Sequence, residues 1–81
     1  MAAENEVIVI TMTAKEAEDS AVAIINACGG WLKFAAIVGK HRKGGMDNDL
    51  AARQIVDDLY RQGHNFQFQQ HIVEALAGKV V

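Results

Sequence analysis

Proline is missing from the whole chain, so no segment carries the residue that most reliably breaks a helix. Punctuation falls instead to glycine, at Gly29-Gly30, Gly39, Gly44-Gly45, Gly63 and Gly78. Cysteine is almost missing too. Cys28 is the single one, which excludes an intrachain disulfide and a tetrahedral zinc–thiolate centre. Ser20 is the single serine and no nucleophile motif surrounds it. There is no His-x-x-x-His or Cys-x-x-Cys, and His64 and His71 stand seven residues apart, about 10.5 Å along a helix, too far to share one ion. Apolar runs such as Val7–Ile10 and Phe34–Gly39 fall far short of the about 20 residues a membrane span requires. The acidic start, Met1 to Glu6, lacks the basic and long apolar regions of a secretory leader. These absences argue against a catalytic residue, a metal ligand, a cofactor and a membrane segment. The expectation is a cytoplasmic protein of a reducing compartment, in a bacterial or phage setting.

What is present is globular in composition. An apolar fraction of 51% with 22% charge in 81 residues fits one small domain over 1–81, with residues 1–5 flexible. A chain of this size buries roughly 60–65% of its unfolded surface.

Val7 to Met12 is short and rich in β-branched residues, which predicts a strand. Thr13-Ala14-Lys15-Glu16 then matches a capping box, and Ala17, Ala21, Ile24, Ile25 and Cys28 recur at helical spacing up to Gly29. A helix over 14–28 follows. A second one, over 47–62, opens on Asp47-Asn48-Asp49, carries its apolar stripe on Ala52, Ile55, Val56 and Leu59, and stops at Gly63. Residues 66–77 suit a helix capped by Asn65, with Phe68, Ile72, Val73 and Leu76 inward, although Phe66 to Gln69 alternates like a strand.

The stretch from Trp31 is ambiguous, because a short apolar run fits either element. A strand at 32–38 would pair with 7–12 in a βαβ unit. A helix over 31–42 would place Phe34, Ile37, Val38 and His41 on one side, and the Ala35-Ala36 pair with no alternation favours it. The fold class is then α+β and helix-dominated: one strand at 7–12 and three or four helices. Such a strand needs a partner. Residues 65–69, a second copy or a different protein are the options, and the expectation is a homodimer or a chain fully ordered on a partner.

Charge is the unevenly distributed quantity. Lys33, Lys40, Arg42 and Lys43 lie in an eleven-residue window with no acid, a charge of +4, whereas the remaining seventy residues carry −6. Two readings compete with a structural one. The first is a contact for a protein partner through Trp31, Lys33, Phe34, Lys40, Arg42 and Lys43, with an aromatic anchor among cations. The second is a nucleic-acid patch in a helix-turn-helix over 31–62, using Lys33, Lys40, His41, Arg42, Lys43 and Arg53. Asp47 and Asp49 oppose the second, since they would face phosphates at the start of the recognition helix. The structural reading makes the window a helix end: cations beside its negative pole, glycine at Gly44 to stop it, and aspartates to start the next helix. Cys28 lies on an apolar stripe, where a thiol is usually inert, and Asp57-Asp58 reads as a solvated face. The leading expectation is a non-enzymatic protein-interaction module, a small regulator or inhibitor of a larger complex. The nucleic-acid-binding regulator is the alternative.

Overall fold

In the computed structural model, which describes residues 12–81, the first helix begins where the capping box places it. Glu16 N–H donates to Thr13 Oγ1 and Thr13 N–H donates to Glu16 Oε1, both at 3.1 Å. Four helices and one short turn of 3₁₀ helix follow: α1 Ala14–Ala27, α2 Trp31–Lys43, α3 Asn48–Arg61, the 3₁₀ turn Gln67–Gln69, and α4 Gln70–Ala77. The strand expected at 7–12, all but its last residue Met12, and the flexible start expected at 1–5 lie outside the described residues. No strand occurs among the described ones.

Each of the first two helices ends in the same hydrogen-bond arrangement. At the end of α1, Gly30 N–H donates to Ile25 O (2.9 Å) and Gly29 N–H to Asn26 O (3.0 Å). This double closure needs a left-handed residue just past the cap, and Gly29 supplies it at φ 94°. The axis turns there by 79° into α2. At the end of α2, Met46 N–H reaches His41 O and Gly45 N–H reaches Arg42 O, with Gly45 at φ 88°. The stop is thus one residue later than Gly44, which keeps a right-handed φ of −79° as the cap itself. Asp47 then caps α3 by accepting Leu50 N–H at 2.9 Å.

The stretch 32–38 is helix, and the second strand considered for it is ruled out. Phe34 and Val38, one turn apart, both reach the core with no measurable exposure, which a strand's alternation could also allow. The half-buried Ile37 and His41 beside them complete a stripe of period 3.6, which it could not. The core joins Ile24 of α1, Phe34 and Val38 of α2, Ala52, Ile55, Val56 and Leu59 of α3, and Ile72, Val73 and Ala77 of α4. Helix α4 packs chiefly on α3 and also on α1, so α3 lies at the centre and α2 keeps one side outward.

The last segment departs from its expected pattern. Asn65 accepts Gln67 N–H at 3.1 Å, and the chain enters a 3₁₀ turn before α4. With three residues per turn instead of 3.6, the inward positions shift. Phe68, expected inside, is 84% exposed, and Phe66 packs against the core in its place. Residues 65–69 are turn and 3₁₀ helix, so they form no strand that could pair with 7–12.

Candidate functional site

Helix α2 divides the basic window between two faces. Arg42 faces inward and is half-buried. Its Nη1 donates to Val80 O at 2.7 Å and its Nη2 to Ala77 O at 2.8 Å. Asn48 Oδ1 accepts from Nη2 at 3.2 Å and from Nε at 3.4 Å. Ala77 is the last residue of α4, where helical carbonyls have no partner of their own. A guanidinium there satisfies two carbonyls and lies at the negative end of the α4 dipole. Arg42 therefore fastens the end of α2 to the C-terminal end of α4, to Val80 beyond it and to the start of α3. The expected use of Arg42 as a surface contact does not agree with this placement. The same bond holds the chain at Val80, whose side chain packs against the core.

Phe34 also leaves the expected surface set. It is fully buried among core residues, and Trp31 covers it, with ring centroids 5.6 Å apart and planes tilted by 32°. Trp31 itself remains 40% exposed.

Lys33, Lys40 and Lys43 are exposed. Seven residues separate the first two, which puts them within about 20° of one another around the helix, and Lys43 follows about one turn later. Leu32, 84% exposed, and the exposed Ala36 lie beside this row. Gly39 completes the face, with nothing within 4 Å of the position a Cβ would take. The result is a low, cationic helix surface with one bulky apolar residue at its start. Outside the window, three of the four cations have carboxylates at hand, Lys15–Asp19 at 3.3 Å, Arg53–Asp49 at 3.5 Å and Arg61–Asp58 at 3.2 Å, and the exposed Lys79 near the C-terminus has none among the described residues. Lys33, Lys40 and Lys43 have no such neighbour among the described residues.

Lys40 also borders a cleft of about 250 Å³ where the end of α1, α2 and α3 converge. Ile55 and Leu59, both nearly fully buried, form its floor, with Ala27 and Ile37 beside them. Lys40, His41, Asp58 and Gln62 stand around it. Cys28 is part of the wall, and burial pushes its thiol pKa up from the ordinary cysteine value. A thiol held in its protonated form is a poor nucleophile. No hydrogen bond links Cys28 to His41 among the described residues, so the pair lacks the contact a nucleophile and base need.

The nucleic-acid set comes apart in the same geometry. Arg42 is turned inward, His41 is half-buried at the cleft, and Arg53 is 3.5 Å from Asp49 on its own helix. Leu32 and the cleft went unrecognised in the sequence. A helical wheel through Lys33, Ala36 and Lys40 would have found Leu32. The cleft had no sequence signal, because three separate helices build it.

Comparison with family models, with curated proteins and with solved structures returns no match to this chain.

Proposed function

We propose that this chain is a non-enzymatic protein-interaction module that offers the outer face of α2 to an acidic surface of a partner protein. The supporting observation is the contrast in charge pairing. Lys33, Lys40 and Lys43 share one exposed helix face without a carboxylate beside them among the described residues, while Lys15, Arg53 and Arg61 each have one on their own helix. Unpaired, solvated lysines give up little existing interaction energy when they meet carboxylates from outside. Complementary charge speeds encounter and fixes orientation more than it adds affinity, so an apolar contact such as Leu32 belongs beside it. Its size suits a small regulator or inhibitor docking on a larger complex.

Charge reversal tests this reading. The triple variant Lys33→Glu/Lys40→Glu/Lys43→Glu, applied to the folded chain, is expected to abolish capture of acidic peptides from a random dodecamer display library. Circular dichroism checks that it remains helical. Equal capture by the variant and the native chain would overturn the proposal. Binding of mixed-sequence DNA or RNA at low salt, lost in the same variant, would favour the nucleic-acid-binding regulator instead.

A further inference from the structure

Beside the cationic face of α2 lies the cleft lined by Ile55, Leu59 and Lys40. We infer that it is an anchor pocket for one bulky apolar side chain, leucine or an aromatic, carried by an acidic segment of the partner protein. The inference rests on the reading of α2 as the partner-facing helix and adds to it where and how the partner is gripped.

Size decides between classes of occupant. The cleft measures about 250 Å³. Pockets for cofactors and drug-sized molecules run from roughly 300 to 1,000 Å³. A dry cavity of about 150 Å³ already holds a benzene ring. The space therefore fits one ring or one branched aliphatic side chain and little more. Its floor, Ile55 and Leu59, is apolar and buried, so an inserted side chain would be surrounded by carbon.

Charge decides the chemistry of the flanks. Burial raises the Cys28 thiol pKa, and Asp58, the carboxylate at the cleft, has Arg61 Nη1 at 3.2 Å. Lys40 is the remaining charged side chain at the cleft, and it is also the centre of the cationic row between Lys33 and Lys43. Cleft and row are thus one continuous surface, joined at a single residue. A segment lying along α2 with its anchor in the cleft brings its neighbouring residues over the lysines. Carboxylates are the complementary groups there. Bulky anchors seated in desolvated pockets carry most of the energy of an interface, and its rim is polar and solvent-accessible.

The test begins with the same dodecamer selection on the full chain. Recovered sequences are expected to share one leucine or aromatic residue flanked by Asp and Glu. A synthetic peptide of that consensus is then bound to the native chain, to Ala27→Leu, which fills the cleft, and to the triple lysine-to-glutamate variant. Filling the cleft should weaken binding by roughly thirtyfold, the loss of one hot-spot contact. Cys28 provides a second readout that needs no variant. As the single cysteine it is labelled cleanly by iodoacetamide at alkaline pH, and saturating peptide should slow that labelling about tenfold or more, as the anchor covers the thiol. If acidic peptides bind and respond to charge reversal, yet labelling of Cys28 is unchanged and Ala27→Leu binds as the native chain does, the anchor pocket is wrong and the acidic-partner reading stands. If the selection returns no acidic consensus, both fall together.

Discussion

Helices α2 and α3 are almost equal in length, thirteen and fourteen residues, yet they use their surfaces in opposite ways. α3 buries Ala51, Ala52, Ile55, Val56 and Leu59, while α2 buries Phe34 and Val38. Neighbours pack on α3 from both sides. Its two arginines lie against aspartates three or four residues away, so both of its cations are paired within the helix, and Asp57 leaves it a net −1. α2 has no acid, and its charge is divided by direction: Arg42 inward on carbonyls, Lys33, Lys40 and Lys43 outward. The difference teaches where to look for function. A central helix that pairs both of its cations internally offers no free cationic row to a partner. The peripheral helix, with an acid-free outer face, has most of it.

Substitutions on α2 alone can break this comparison. The largest effect is expected from Phe34→Ala, a loss of about 3–5 kcal/mol of unfolding free energy, because a full ring leaves a packed core. Leu32→Ala, two residues earlier and 84% exposed, should stay within about 0.5 kcal/mol of the native chain. Urea denaturation measures both. A comparable cost at Leu32 would mean that the outer face is covered.

The next effect is Arg42→Ala. Charge-assisted bonds to two carbonyls and an amide would be lost, for about 1.5–3 kcal/mol, with faster hydrogen exchange at the end of α4. Lys40→Ala and Lys43→Ala should each change stability by less than about 0.5 kcal/mol. Equal effects for the arginine and the lysines would erase the inward–outward division. The smallest effect has the opposite sign. Gly39→Ala should raise stability by about 0.5–1 kcal/mol, since a mid-helix glycine gains propensity and the new methyl meets open space. A loss of stability there would show a neighbour on the face that the present geometry leaves clear.

How much of this was legible depended on how local the signal was. The capping box at Thr13 and Glu16, the stripe of α3 and the stop at Gly29 are written within a few residues, and the helices begin and end there. The helix at 66–77 was half legible. Its apolar spacing marked Ile72 and Val73 correctly, but a 3₁₀ first turn moved Phe68 out and Phe66 in. Trp31–Lys43 was the hard case, because a run of apolar residues fits a buried helix or a strand until its neighbours are known. Of the residues expected to form a partner contact, Lys33, Lys40, Lys43 and part of Trp31 lie at the surface, whereas Phe34 and Arg42 do not.

The sequence by itself determined the helices at 14–28 and 47–62, their approximate ends, and the concentration of positive charge in one segment, while leaving 31–42 open between helix and strand. Those follow from caps, glycines and composition, which act over one turn of chain. The tertiary structure alone decided which cation does what. Arg42 meets carbonyls 35 and 38 residues away, and Lys40 meets a cleft built from three helices. Side chains two residues apart on a helix point in directions about 200° apart, so one can serve the fold while the other serves the surface. Only the packing of α1, α3 and α4 fixes which is which.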